Sequence, residues 1–204
     1  MQADGLTEKI LDFWFGESPA THDSVKRRSK NWFSGAAEFD QTIREVFASD
    51  VDRALSDRYQ LDAQDARHAL ALVLILDQFP RNIFRRDPQA FAGDRRALQI
   101  VREVIAAGTD RSLGAVECGF LFMPFQHCES LADQEEGLER LAGLVQRAAD
   151  WEMPYVESFY KYAGLHCNVV REFGRFPHRN EILDRVCTPA EQAYLDGNGH
   201  RFGQ

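Results

Sequence analysis

Apolar residues recur along the chain at the three- and four-residue spacing of helices buried on one side, with no convincing strand alternation anywhere. A first helix is expected near Thr7 to Phe15, with Ile10, Phe13 and Trp14 along one side. A loop through Gly16 and Pro19 leads to a short basic helix from Ser24 to Ser34. Ala37 to about Ser56 carries Phe39, Ile43, Val46, Phe47, Val51 and Leu55 as one stripe. The next segment, capped by Asp62 or Asp65, runs from Ala66 to Phe79 and is apolar nearly all round, so it is the predicted central helix. Pro80 has no N–H, and its ring clashes with the preceding turn, so it is expected to end that helix.

Asp87 and Pro88 read as the cap and first position of a helix through Phe91, Leu98, Val101, Val104 and Ile105 that stops at Gly108. Leu113 to Met123 forms a short segment closed by Pro124. Ser130 and Asp133 resemble a capping box and open a helix carrying Leu138, Leu141, Leu144, Val145 and Ala148. Tyr155, Phe159, Tyr162, His166, Val169, Val170 and Phe173 make a further stripe, stopped by Gly174 and Pro177. Thr188, Pro189 and Glu191 begin a last helix that ends near Gly197. Short loops make successive helices antiparallel neighbours, so the expected fold is an all-α bundle forming a single domain over residues 1–204.

Composition narrows the function. The chain has 204 residues, 44% hydrophobic and 27% charged, which suits one globular domain. A net charge of −8 disfavours non-specific nucleic-acid binding, which needs a basic face against phosphates. The longest wholly apolar run, 69–76, is far below the ~20 residues that span a bilayer, so no membrane partner is expected. Cys118, Cys128, Cys167 and Cys187 show no zinc-ligand spacing and read as reduced thiols. With no signal segment, the expected location is the cytoplasm.

Only four of the 24 basic residues are lysine, which leaves an arginine-rich chain suited to paired recognition of carboxylate or phosphate, or simply to surface ion pairs. The stretch 78–82 is echoed at 175–180, where Phe-Pro is again followed by Arg and Asn. The echo is either two similar helix-stop turns or two equivalent turns that bring Arg and Asn side chains to one end of the bundle.

Three segments, Asp77-Gln-Phe-Pro-Arg-Asn-Ile-Phe84, Phe122-Met-Pro-Phe-Gln-His-Cys-Glu-Ser-Leu-Ala-Asp-Gln-Glu135 and Phe173-Gly-Arg-Phe-Pro-His-Arg-Asn-Glu-Ile-Leu183, resemble the signature stretches of a mainly bacterial family known as "domain of unknown function 924". Ile10 to Gly16 and Thr188 to Glu191 fit as well, so the resemblance covers nearly the whole chain in order. It implies an all-α fold related to tetratricopeptide-like superhelical arrays and no established activity, and no tetratricopeptide consensus is readable in the residues themselves. Gln126 and Cys128 stand where the family resemblance leads one to expect Glu and Ser, which weakens any metal or acid–base role drawn from position 126.

Asp77 is the sharpest anomaly, a carboxylate on the most apolar helix. It must be paired, hydrogen-bonded or open to a cleft, and Arg81 is the natural partner. That pair either fixes the chain reversal or sets a carboxylate at a cleft mouth. His166 lies on an apolar stripe as a core histidine or a functional one, and His127 and His178 sit near helix ends. Asp77, His127, His166 and His178 are therefore the candidate catalytic residues. Arg81, Asn82, Asp133, Arg171, Arg175, Arg179 and Asn180 are the candidate ligand-binding ones. Arginines so close together need either internal carboxylates or an anionic ligand.

A His cluster with a carboxylate could hold a divalent metal, but no local ligand motif supports it, and neither metal nor cofactor is assigned. The first expectation is a cleft that binds, and hydrolyses if it is catalytic, a small anionic metabolite. The alternative is an interaction module whose concave helical surface takes a peptide or protein partner, with the polar residues structural. Both rest on segments centred on Asp77, His127 and Arg175 meeting in space.

Overall fold

Helix boundaries fall largely where capping chemistry puts them. The computed structural model describes residues 3–197 and 199–202, and all regular structure among them is helical. The α-helices are α1 (Ala3–Phe15), α2 (His22–Trp32), α3 (Ala37–Leu55), α4 (Ala66–Val73), α5 (Phe79–Ile83), α6 (Asp94–Ala107), α7 (Ala115–His127), α8 (Leu131–Arg147), α9 (Met153–Phe173) and α10 (Pro189–Asp196). Asp65 caps α4 by accepting from the backbone N–H groups of Arg67 and His68, and Thr188 and Glu191 cap α10 reciprocally. Ser130 accepts from the Asp133 N–H at the start of α8, but the Asp133 carboxylate pairs with Arg102 instead of closing a box. Gly108 and Gly174 end α6 and α9 with φ of 72° and 69°, the left-handed conformation that glycine adopts without Cβ strain.

Two prolines expected to stop helices do not. Between α4 and α5, Leu74–Gln78 takes the wider π turn, with the Phe79 N–H reaching back to the Leu74 carbonyl. Pro80 then lies in the first turn of α5, where a missing N–H is tolerated. Pro80 has no hydrogen to offer the Leu76 carbonyl four residues back. That carbonyl instead lies against Gly93, where a Cβ would sit 2.1 Å from it. The Asp77 carbonyl receives the Arg81 guanidinium at 2.6 Å. Pro124 lies inside α7, every residue of which is buried; packing on α4, α6, α8 and α9 keeps it helical despite one lost hydrogen bond.

The helix expected from Pro88 is also divided. Asp87 caps only a 3₁₀ turn, Pro88–Phe91, and α6 begins after Gly93, the residue pressed against the Leu76 carbonyl. The α4–π–α5 rod is buried as expected, and α7 shares the centre with it. One large core joins residues of α1 through α9, with Trp14, Phe15, Phe47, Phe79, Phe120 and Phe125 fully buried. A smaller cluster of Val169, Val170 and Phe176 is covered by Phe173, Tyr194 and Phe202. Among the described residues no helix is long and apolar enough to cross a membrane, and all four cysteines are free thiols.

Candidate functional site

The π turn sets Asp77 at the end of the buried rod, with no exposed surface at all. The carboxylate is fully engaged. Oδ1 faces Nδ1 of His127 at 2.7 Å and the Arg81 guanidinium at 3.3 Å, while Oδ2 accepts from the Gln78 amide at 2.6 Å. Burial opposes the charged form, but Arg81, His127 and Gln78 outweigh it and hold the Asp77 pKa below the usual carboxylate range. An ionised carboxylate only accepts, so Nδ1 of His127 carries the proton and Nε2 keeps its lone pair. Burial, then Arg81, push the His127 pKa below its ordinary value against the pull of Asp77, so the ring is neutral at pH 7.

His127, the last residue of α7, lines a cavity of about 530 Å³. His166 of α9 lines it too, with the two rings edge to face at 5.9 Å. Nδ1 of His166 donates to the Tyr162 carbonyl at 2.8 Å, since a carbonyl can only accept, and Nε2 is again the lone-pair nitrogen. Burial, then His127, hold its pKa well below ordinary. His178, in the 3₁₀ turn Pro177–Arg179, completes the histidine lining. Its Nδ1 is buried without a hydrogen-bond partner among the described residues, and burial, then Arg179, bring its pKa down to about 3.

Arginines line the same cavity. Arg81 pairs with both oxygens of Asp94, at 2.8 and 3.0 Å. Arg179 reaches the same carboxylate at 3.4 Å. Thus the arginines of the two echoing segments share one acidic partner. Their asparagines part: Asn82 lines the cavity and donates to Asp40, whereas fully buried Asn180 donates to the Cys187 sulfur. The turns themselves differ, one continuing a helix and the other a 3₁₀ turn after Gly174.

The structure therefore gathers Asp77, Arg81, Asn82, His127, His166, His178 and Arg179 around one hollow, with Asp77 directly behind His127. Asp133, Arg171, Arg175 and Asn180 do not line it. Arg175 is bound to Glu191 of α10 and the Val186 carbonyl, Arg171 to Glu135 and Asn168 on the surface, and Asp133 to Arg102. Each of these side chains meets a local partner away from the cavity, Arg171 and Asp133 on helix surfaces, Arg175 against the buried Glu191 and Asn180 within the fold, which helical spacing does not forecast.

Sequence reasoning missed several lining residues. Gln78 interrupts the same apolar segment as Asp77 and was the readable signal, whereas Arg85, held on Asp40, interrupts none. Gln126 brings an amide whose Oε1 is buried without a partner among the described residues. Trp32, Phe33, Phe91, Phe159 and Phe202 line the aromatic part, and Phe202 stacks on His166 with ring centres 3.6 Å apart. Among the described residues, no three His, Cys, Asp or Glu side chains are grouped so as to hold a metal ion.

The chain matches the family described as "Bacterial protein of unknown function (DUF924)" over residues 10–199. It is also similar to the solved structure of ATU0120, a protein of unknown function from Agrobacterium tumefaciens. The two are 32% identical, the match covers 96% of this chain and 99% of that one, and the TM-score is 0.79. No curated protein matches.

Proposed function

The chain belongs to the DUF924 family of bacterial proteins, and for it we propose that the cavity binds a small anionic metabolite and hydrolyses an acyl bond in it, with Asp77 and His127 as the proton-transfer pair. The observation that supports this most is the 2.7 Å contact of Asp77 with Nδ1 of a histidine that lines the cavity. A buried carboxylate behind an imidazole fixes the tautomer and stabilises the imidazolium that forms when Nε2 takes a proton. In the step envisaged, His127 Nε2 takes a proton from water as the water oxygen bonds to the acyl carbon. The bond to the leaving group then breaks, and the imidazolium returns the proton to that group. Arg81, paired with the Asp77 carboxylate and close enough to lower the pKa of the ring, offsets negative charge that develops nearby.

The test is a panel of carboxylate- and phosphate-bearing esters and amides, assayed with wild type and His127→Asn. The proposal expects turnover of at least one member and a loss of roughly 10²–10⁴-fold in the variant. The acid limb of kcat/KM, which reports the free protein, should lie below pH ~6.5, because His127 is held below its ordinary pKa. Failure of the whole panel, or a variant as active as wild type, contradicts hydrolysis. So does a limb at or above the ordinary histidine value.

A further inference from the structure

The cavity lining holds two unlike groups: a polar one, Arg81, His127 and Arg179, linked through Asp77 and Asp94, and an aromatic one, Trp32, Phe33 and Phe159, with Phe33 and Phe159 meeting edge to face at 6.3 Å. Phe33 is 63% exposed beside this opening, although the chain has ample core to bury it.

The three cations of the lining are not equivalent. Arg81 is held by both oxygens of Asp94 and by the carboxylate and carbonyl of Asp77. Arg85 is held by two bonds to Asp40, at 2.9 and 3.0 Å. Arg179 is only 6% exposed, yet among the described residues its one carboxylate contact is 3.4 Å long, to an Asp94 oxygen that Arg81 already holds at 3.0 Å. Its Nε is buried with no hydrogen-bond partner among the described residues. The guanidinium lies over Phe91 and Phe176, 4.3 and 4.5 Å from their centres, so it is placed by aromatic contact and not by an anion of its own. Leaving donors of a buried charge unmet is costly unless something else meets them.

We infer that the ligand is a monocarboxylate carrying a flat apolar body, with its carboxylate anchored by Arg179 and its body against the Trp32, Phe33 and Phe159 side. This deepens the ligand-site reading above and rests on it. Charge count limits the ligand to one negative charge, and the unmet guanidinium Nε of Arg179 is what calls for an anion there. Asp77 and Asp94 balance Arg81 and Arg179, and Asp40 balances Arg85. A dianion would bring two uncompensated charges into this network. A monoanion brings one, which a proton on His127 offsets during reaction. The groups facing that ring are Asp77, Arg81, Asp94 and His166, with His178 and Arg179 beyond His166. The planar, forked guanidinium also matches a carboxylate in two-point contact, and the aromatic side accepts a ring or other flat apolar group.

Isothermal titration of the full chain with phenylacetate, acetate and phenyl phosphate tests this without needing turnover. Phenylacetate is expected to bind about tenfold or more tightly than either of the others. Arg179→Gln should weaken it by about tenfold or more, and Arg179→Lys, which keeps charge but loses the fork, should not restore it fully. Arg171→Gln, at a surface arginine that does not line the cavity, should leave phenylacetate bound within about threefold. Absence of phenylacetate binding, phenyl phosphate binding as tightly, or an unchanged affinity in Arg179→Gln overturns the inference. If both Arg179 variants unfold, the order of the three probes on wild type still decides it. Phenylacetate binding without turnover of any ester would sink the hydrolase and keep the anchor. Turnover of a ligand without a carboxylate, together with no phenylacetate binding, would do the reverse.

Discussion

Asp77 has no contact with solvent, yet every one of its charged contacts leads toward a cavity. A carboxylate on an all-apolar helix face is legible from sequence because burial without partners is so costly. Arg171 and Arg175 were not separable from Arg81 and Arg179 by the same logic. All four lie near helix ends with carboxylates in reach, and only the three-dimensional path sends one pair outward to Glu135 and Glu191 and the other inward to Asp94. The inward group includes neutral histidines, which carry a consequence for acid stability. Folded His178 takes a proton only near pH 3, whereas an unfolded histidine does so near 6.5. Between those values the unfolded chain binds more protons, so stability is full above about pH 6.5 and falls as the pH drops. Urea unfolding of wild type should therefore lose about 1 kcal/mol more between pH 6.5 and 5.5 than that of His178→Gln. Equal losses in the two proteins would show that His178 is not held neutral.

At the scale of elements, caps were readable and prolines were misleading. Asp65, Ser130 and Thr188 open helices as their side-chain chemistry predicts, because a cap is a local bond. Pro80 and Pro124 lie within helices because Pro80 falls in the first turn of α5 and packing on several neighbouring helices holds α7. No local rule contains those neighbours. The π turn at Leu74–Gln78 is the element that matters most, since Asp77 lies in it and its carbonyl accepts from the Arg81 guanidinium. Its fit depends on Gly93, where a methyl would collide with the backbone carbonyl of Leu76. Gly93→Ala should destabilise the protein by about 2 kcal/mol or more, because backbone cannot step aside. Gly143→Ala, in an exposed stretch of α8 with no atom within 4 Å of the new Cβ, should be neutral or stabilising by up to about 1 kcal/mol. Thermal unfolding of the two variants side by side checks the contrast; similar values would mean that the Gly93 contact does not govern the turn.

Across the whole molecule, the end of α7, the end of the α4–π–α5 rod and the turn after α9 reach one cavity from stretches far apart in the chain. The all-helical class was legible in apolar spacing. The aromatic half of the cavity was not, because Trp32, Phe33 and Phe159 read as ordinary core positions and Phe202 belongs to no periodic segment. The same packing that buries α7 on every side carries His127 to Asp77, fifty residues away in sequence. The most direct measurement is ¹⁵N-resolved NMR of the histidine rings in wild type and Asp77→Asn at pH 7. The account predicts a neutral His127 with its proton on Nδ1 and a bare Nε2, a distribution that shifts when Asp77 becomes Asn, and an Nε2 signal that moves on adding phenylacetate. A His127 protonated on Nε2, or one indifferent to both the substitution and the probe, would contradict it.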